Sequence, residues 1–321
     1  MVENRSPGDR TKPLRPDAPN SESTLFTLAH LSDPHLGPLP PARRRELAGK
    51  RLLGWLNWQR GRARRHTADT LRLIEADIAR HQPDHVAVTG DLVNLALAAE
   101  FAPAAAWLGG LGRPDDVSVV PGNHDAYVAR TAGLARLHWG DHMTGDRGEA
   151  GFPFVRRRGA VALVGVSSAV PSAPFLATGR LGPQQIEALA EALDALGREG
   201  ACRILLIHHP PVGRFDFQKR LIDGQAVRAV LARTGAELVL HGHTHVPARH
   251  AVSGPRRPIP VIGVPSASAG PVSAHPAGWN RFVITDGGAA AQVPWRIELE
   301  RRGLRHGGAV IETLERTVLA G

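Results

Sequence analysis

From residue 25 onward, short apolar runs alternate with segments of helical periodicity. The apolar runs predict strands at residues 25–31, 85–89, 117–120, 161–166, 203–207, 237–240, 261–264, 281–284 and 292–297. Helical periodicity predicts helices at residues 67–81, 97–111, 183–196 and 226–233. Strands that alternate with helices are typical of an α/β fold, in which a parallel sheet is flanked by helices. Residues 309–319 fit either an edge strand or a helix.

The first residues differ in composition from the rest of the 321-residue chain. Residues 1–24 are polar and rich in Pro, Ser, Asp and Asn, which predicts a disordered tail and not a secretory signal. Residues 25–321 are predicted to form one domain, and its apolar runs are far shorter than the roughly 20 residues of a membrane span. Cys202 is the single cysteine, so an internal disulfide is excluded and a reducing, cytoplasmic location is expected.

Five clusters of metal-type side chains follow predicted strands. They are Asp33-Pro34-His35, Gly90-Asp91, Gly122-Asn123-His124-Asp125, His208-His209-Pro210 and the run from His241 to His245. Each cluster alone is typical of an ordinary turn or of a structural histidine. Ligands of open α/β sheets bind beyond the carboxyl ends of the strands, so five such clusters are expected to converge on one site. Seven of the sixteen histidines lie in these clusters, which supports that interpretation.

The clusters supply a mixed set of nitrogen and oxygen donors. The candidate metal ligands are seven residues, namely Asp33, His35, Asp91, Asn123, His208, His243 and His245. Imidazole, carboxylate and amide oxygen suit manganese, iron, zinc or cobalt better than metals that prefer thiolate. If one carboxylate bridges, the set fills four positions on each of two ions. Two ions about 4 Å apart can hold the attacking and leaving oxygens of a displacement at phosphorus.

The order Asp-x-His, Gly-Asp, Gly-Asn-His-Asp, His-x-Pro, Gly-His-x-His resembles that of the calcineurin-like metallophosphoesterases, over about residues 27–285. The resemblance implies a four-layer α/β/β/α sandwich, in which two mixed sheets lie face to face between helices. It also implies two divalent ions and attack on phosphorus by a hydroxide that bridges them. The implied ligands are Asp33, His35 and His245 for the first ion, Asn123, His208 and His243 for the second, and Asp91 as the bridge.

The resemblance implies roles for four further residues. His124 would stabilise the phosphoryl oxygens or protonate the leaving group. Some family members carry an aspartate, three positions after the bridging residue, that orients this histidine. Asn94 stands at that position here, and Asp125 would take part of the orienting task. His209 would lie outside the metal ligands, close enough to the site to be a candidate substrate contact.

The basic segment, which we define as residues 38–66, lies between the first two clusters. From Arg43 to Arg65 it holds nine basic residues and one glutamate, which is +8 of the formal charge of +9. Interleaved Trp and Leu residues are typical of an interfacial helix. As a cap over the site, the segment would place Arg51, Trp55 and Trp58 against substrate, and residues 41–65 would meet an anionic membrane surface. A surface helix that only packs on the body is an equal alternative.

Within that family the chain looks closest to bacterial phosphodiesterases, and this resemblance implies a dinuclear metal-dependent enzyme that acts on cyclic nucleotides or glycerophospho-type diesters. The alternative is a pyrophosphohydrolase of a nucleotide-linked lipid, of the UDP-diacylglucosamine type, peripheral to the inner face of the membrane. A DNA nuclease ranks lower, because stacking aromatic residues are sparse and no DNA-binding module accompanies the charge. A non-catalytic scaffold also ranks lower, because every candidate ligand position is filled. The sequence leaves the metal identity and the oligomeric state open.

Overall fold

The first sheet is built around strand β1 at its centre. The computed structural model describes residues 24–62, 65–148, 151–213, 216–287 and 294–320, and its strands are numbered in chain order. The strands of this sheet are β1 (Thr24–Leu31), β2 (His85–Val88), β3 (Val117–Val119), β10 (Gly278–Asp286), β11 (Trp295–Gly303) and β12 (Glu312–Ala320). Their spatial order is β12-β11-β10-β1-β2-β3. β1, β2 and β3 run parallel, whereas β10, β11 and β12 pair antiparallel, so the sheet is mixed.

The second sheet has a parallel centre with antiparallel edges. Its strands are β4 (Phe154–Arg158), β5 (Val161–Gly165), β6 (Cys202–Leu206), β7 (Leu238–His241), β8 (Arg249–Val252) and β9 (Ile259–Gly263), in the order β4-β5-β6-β7-β9-β8. β5, β6, β7 and β9 are parallel, and their carboxyl ends therefore lie along one edge of the sheet. β4 and β8 close the two sides by antiparallel pairing.

Six α-helices accompany the sheets in the described part of the chain. They are α1 (Lys50–Asn57), α2 (Ala68–His81), α3 (Ala98–Leu111), α4 (Leu134–Trp139), α5 (Pro183–Arg198) and α6 (Gly224–Thr234). α2 illustrates how the sequence specifies them. The Thr67 hydroxyl accepts a hydrogen bond from the Thr70 N–H at the first turn, and Leu71, Ile74 and Ile78 bury one face at helical spacing.

The side chains of the central strands alternate between two cores. On β6, Ile204 and Leu206 belong to a core shared with β1 of the other sheet, so the two sheets pack face to face. Leu205, on the opposite face of β6, packs in a second core with α5 and α6. This alternation follows from the two-residue period of a strand. The predicted four-layer sandwich of two mixed sheets is confirmed.

Most of the predicted elements are present, with three additions. The chain also forms strands β4 and β8 and helix α4, which were not predicted, whereas α1 is the helix expected in the basic segment. The ambiguous segment 309–319 forms the edge strand β12. Strand β11 begins at Trp295, and part of the predicted strand 292–297 lies outside the described residues. The predicted tail likewise lies outside them up to residue 23.

One arginine anchors the basic segment to the body. The segment contains a 3-10 turn (Arg44–Leu47), helix α1 and a π-helical turn (Trp58–Arg62). Arg51 is buried, and its guanidinium donates to the carbonyl oxygens of Leu95 (2.9 Å) and Ala96 and to the hydroxyl of Thr131 (3.1 Å). In the part of the chain that the structure describes, neither α1 nor any other helix is long and apolar enough to cross a bilayer.

Candidate metal centre

The predicted ligands lie at the carboxyl ends of strands from both sheets. Asp33 and His35 follow β1, Asp91 follows β2 and Asn123 follows β3 in the first sheet. The second sheet contributes His208 after β6, and both His243 and His245 after β7. The sheets face each other, so the seven side chains are brought to one place from strands that are far apart in sequence.

The chain turns sharply at most of these positions. Among the described residues, eight that are not glycine have a positive φ, and five of these are predicted ligands: Asp33 (53°), His35 (41°), Asp91 (57°), His243 (65°) and His245 (55°). A left-handed backbone at a residue with a Cβ costs about 1–3 kcal/mol and clusters at functional sites. The buried strands that precede these loops hold them in that conformation.

The first group of donors centres on His35. Its Nε2 lies 3.2 Å from the Nε2 of His245, 3.9 Å from Oδ1 of Asp33 and 4.0 Å from Oδ2 of Asp91. Nε2 of His245 lies 3.1 Å from the same Oδ1 of Asp33. Nδ1 of His35 faces the carbonyl oxygen of Val93 at 3.4 Å, which favours the proton on Nδ1 and leaves Nε2 as a metal donor.

The second group centres on His208. Its Nε2 lies 3.4 Å from Oδ2 of Asp91 and 3.3 Å from Oδ1 of Asn123, while its Nδ1 faces the Thr89 carbonyl oxygen at 2.5 Å. The ring of His243 lies 5.1 Å from that of His208, and its Nε2 faces the Lys219 carbonyl oxygen at 3.0 Å. These backbone acceptors orient both rings, because each fixes one ring nitrogen as a donor.

The charges at these positions fit a cation. Burial alone would raise the pKa of Asp91, but the adjacent His208 and His124 outweigh it and hold the pKa well below its usual range. Burial would likewise lower the pKa of His208, yet Asp91 raises it to about 9. The position between this carboxylate and this imidazole therefore favours positive charge. This charge distribution and the oriented donor nitrogens together suit divalent ions of the manganese-to-zinc series.

A backbone carbonyl group orients the ring of His124. Its Nδ1 lies 2.5 Å from the carbonyl oxygen of Asn94, and its ring stacks on Tyr127 at 5.2 Å between centroids. The side chain of Asn94 points elsewhere and donates to the Leu36 carbonyl oxygen at 2.8 Å. Asn94 thus contacts His124 through its main chain.

Asp125 holds two ligand loops together. Its buried carboxylate accepts hydrogen bonds from the N–H groups of Asp91 (2.8 Å), Leu92 (2.9 Å), Val93 (3.1 Å) and Gly122 (2.8 Å). Burial and the charge of Asp91 raise the pKa of Asp125, and these backbone donors oppose the rise. With four donors occupied by the loops, Asp125 is a positioning residue for Asp91 and Gly122.

The four predicted substrate contacts lie away from the cavity above the ligands. Arg51 is buried under α1 on backbone carbonyls, and Trp55 is half-buried against the main core. Trp58 is buried beside a neighbouring cavity that it lines with Gly37. His209 is buried, with Nδ1 2.8 Å from the Ser168 hydroxyl and Nε2 3.1 Å from the Ala177 carbonyl oxygen, and its ring lies against His243. Its two nitrogens thus face protein atoms.

The cavity above the ligands has a volume of about 800 Å³ and includes residues that the sequence analysis did not single out. Asn57, Arg65 and His66 reach it from the basic segment, and Lys219 and His275 line another part of its wall. Lys50 of α1 places its ammonium 4.5 Å from the ring centroid of Tyr127, which in turn stacks on His124. The sequence offered one hint to the position of His66, which is that it comes directly before the predicted start of α2.

Comparison with known proteins relates the chain to one protein family and to one curated enzyme. Residues 26–247 match the family model described as calcineurin-like phosphoesterase. A 36-residue stretch is 56% identical to UDP-2,3-diacylglucosamine hydrolase from Sodalis glossinidius (strain morsitans), and it spans 11% of this chain and 15% of that relative.

Solved structures with the same fold differ in role. A dimetal phosphatase from Danio rerio has a TM-score of 0.63 at 13% identity, covering 93% of this chain and 99% of that one. Purple acid phosphatase PPD1 from yellow lupin (Lupinus luteus) seeds has a TM-score of 0.56 at 13% identity, covering 92% and 53%. GAP50, the anchor in the inner membrane complex of Plasmodium, has 0.51 at 10% identity, covering 93% and 89%. At such identities these likenesses show the fold alone.

Proposed function

The chain belongs to the calcineurin-like phosphoesterase family, and we propose that it is a phosphodiester hydrolase that uses two divalent ions. The position of Asp91 carries this proposal. Its Oδ2 lies 4.0 Å from Nε2 of His35 and 3.4 Å from Nε2 of His208, so one carboxylate oxygen faces both donor groups. A carboxylate in that position suits a ligand shared by two cations.

The remaining ligands divide between the two groups. Asp33, His35 and His245 would hold one ion, and Asn123, His208 and His243 would hold the other. Such ions would polarise the phosphoryl oxygens and supply a nucleophile from water at neutral pH. Manganese, iron, zinc and cobalt all suit this set of nitrogen and oxygen donors.

His124 would donate the proton that the leaving oxygen needs. Its Nδ1 is directed at the Asn94 carbonyl oxygen, 2.5 Å away, so we assign the proton transfer to Nε2. The stacked Tyr127 ring restricts rotation of the imidazole. Proton transfer by a positioned histidine contributes about 10²–10⁴-fold to a rate.

The walls of the cavity favour a substrate with more than one anionic or bulky group. Arg65 and Lys219 lie on the wall, where they can attract a second phosphate or a diester substituent. A volume of about 800 Å³ leaves room for groups on both sides of the phosphorus atom. Cyclic nucleotides and glycerophosphodiesters are therefore the first substrates to test.

A pyrophosphohydrolase of a nucleotide-linked lipid is the second candidate, and a specific surface supports it. On α1, Leu52 and Leu53 are exposed by 47% and 38%, and the turns on either side of the helix carry the exposed Arg44, Arg45 and Arg60. Exposed apolar and basic residues in one segment suit the interface of an anionic membrane. The short stretch shared with a UDP-2,3-diacylglucosamine hydrolase points in the same direction. In this version the protein would act in the cytoplasm at the inner face of the membrane.

Hydrolysis of model substrates by the Mn²⁺-loaded protein tests the proposal. We expect bis(p-nitrophenyl) phosphate to be cleaved faster than p-nitrophenyl phosphate. His124→Ala should slow glycerophosphodiesters more than bis(p-nitrophenyl) phosphate, because p-nitrophenolate leaves without a proton. Exposed His306→Ala is the matched control and should leave both rates unchanged. A metal-loaded protein that cleaves neither ester would favour a scaffold role.

A second panel separates the two candidates. It compares cyclic AMP, a glycerophosphodiester, a UDP-linked diacyl lipid and single-stranded DNA. Co-sedimentation with anionic liposomes then compares the wild type with a Leu52→Glu, Leu53→Glu variant, which spares the anchoring Arg51. Equal sedimentation of both proteins, with no cleavage of the lipid, would remove the membrane candidate.

A further inference from the structure

His66 lies at the metal centre although it belongs to none of the five sequence clusters. Donor nitrogens of His35, His66 and His245 all lie within 4.8 Å of one another. The His66 ring is 4.8 Å from that of His35 and 5.7 Å from that of His245, nearly perpendicular to the latter. Three imidazoles thus surround one point on the side of the centre where Asp33 also lies.

The backbone fixes His66 in this place from two directions. His66 and Ala269 form an antiparallel bridge, with the Thr67 N–H donating to the Ser268 carbonyl oxygen (2.9 Å) and the Gly270 N–H donating to that of Arg65 (2.8 Å). Thr67, the next residue, caps α2. The end of the basic segment is therefore joined to the loop that follows β9, close to the predicted ligands.

Two serine hydroxyl groups contact Nδ1 of His66. The Ser266 hydroxyl donates to the Asp33 carbonyl oxygen at 2.6 Å, so its oxygen is left to accept. The Ser268 hydroxyl lies 3.4 Å from the Ser266 hydroxyl, and Nδ1 of His66 lies 2.8 Å from that of Ser268. Nδ1 of His66 also lies 3.3 Å from the Ser266 hydroxyl, so this nitrogen faces both serines. With the proton on Nδ1 and donated to Ser268, Nε2 would be the donor nitrogen toward His35 and His245, as in metal-ligating histidines with an oriented second nitrogen.

We propose that His66 is a further ligand of the ion held by Asp33, His35 and His245, and that this ion fastens the basic segment over the cavity. The inference rests on the proposed two-ion centre and adds a ligand from outside the five clusters. Arg51 holds one part of the segment to the body, and His66 holds its end to the metal. A zinc-type ion binds imidazole nitrogen at about 2.1 Å, so a slight approach of the three rings places all of them on one ion.

Metal affinity tests this proposal without reference to activity. The wild type, His66→Ala and Ser268→Ala are titrated with Mn²⁺ while the free ion is followed by electron paramagnetic resonance. Changes around metal ligands typically cost 10–100-fold in affinity, so His66→Ala should weaken one of two ions at least tenfold and spare the other. Ser268→Ala should weaken the same ion by less. Exposed His250→Ala, a matched loss of an imidazole, should change neither.

Hydrogen exchange supplies the second readout. Mn²⁺ should slow amide exchange of residues 65–67 in the wild type and not in His66→Ala. If His66→Ala binds both ions with wild-type affinity, His66 is not a ligand; a raised KM with unchanged affinity would make it a substrate contact and also overturn the proposal. If the wild type itself binds no ion, the two-ion centre fails first, and the two failures are thereby distinguished.

Discussion

Replacement of Gly90 by alanine tests whether the ligand loops are packed as closely as the structure indicates. Gly90 lies between β2 and Asp91 and has φ 94°, a conformation that residues with a Cβ rarely adopt. A Cβ there would lie 2.5 Å from the Gly122 nitrogen and 2.8 Å from Nδ1 of His208. Both neighbours belong to loops that carry predicted ligands, so relief of the overlap must move Asn123 or His208 away from Asp91.

Two contributions determine the size of the effect. The positive φ costs about 1–3 kcal/mol once the residue has a Cβ. Overpacking against backbone and a buried ring adds about 1–3 kcal/mol, because neither neighbour is the flexible end of a side chain. We therefore expect Gly90→Ala to lower the free energy of unfolding by about 2–6 kcal/mol. That is a large fraction of the roughly 5–15 kcal/mol that stabilises a typical domain.

Urea unfolding and Mn²⁺ binding measure the two consequences. Gly110→Ala is the control, because its Cβ would meet no atom within 4 Å in helix α3. Alanine is favoured over glycine in a helix by roughly 0.5–1 kcal/mol, so this variant should be slightly stabilised and bind Mn²⁺ normally. A Gly90→Ala protein that unfolds at the wild-type urea concentration and binds both ions would refute the close packing of these loops.

Three further changes probe the anchor, the loops and the acid limit of stability. Arg51→Ala leaves buried carbonyl groups without a donor and should cost about 1–3 kcal/mol in urea unfolding; exposed Arg44→Ala removes the same charge and should cost nothing measurable, and equal effects would contradict the anchoring role. Asp125→Asn turns an amide toward backbone N–H groups, so we expect a loss of at least about 2 kcal/mol with weaker Mn²⁺ binding, whereas wild-type values would show that the four bonds to Asp125 are dispensable. Burial alone would raise the pKa of Glu300, but bonds from Thr313 and Arg316 lower it from 4.5 to about 2. A depressed pKa stabilises the fold above pH 4.5 and loses that effect as the pH falls towards 2, so the stability of Glu300→Gln should fall less than that of the wild type over this range, and parallel pH profiles would argue against the assignment.

The convergence of the candidate ligands on one place could be predicted from the sequence, because it depends on local pattern and on one property of sheets. Asp33, Asp91 and His208 each follow an apolar run, and the carboxyl ends of parallel strands share an edge. The positions of the helices did not have to be known to predict that these side chains meet. The edge strands β4 and β8 were not predicted, because basic residues accompany their few apolar ones and the strands pair only after their neighbours are in place.

The sequence could not show which side chains of the basic segment are buried and which face the metal centre. Its composition suggests that arginines and tryptophans face substrate, yet Arg51 and Trp58 are buried and His66 faces the ligands. The direction of a side chain there depends on helix rotation and on the bridge to Ala269, which are tertiary contacts. The same holds for Asn94, which contacts His124 by its carbonyl oxygen, an atom that every residue type possesses.

The division of the ligands between the sheets links metal binding to the fold. Asp33 and His35 come from the first sheet and His245 from the second, so the first ion would join the two sheets. Asn123 from the first sheet and His208 from the second do the same for the other ion. An unfolded chain cannot present such a set, so the free energy of metal binding would stabilise the folded state. That stabilisation would offset the energetic cost of the left-handed backbone at five of the candidate ligands. Without bound metal, the packing of the preceding strands alone would have to compensate for this cost.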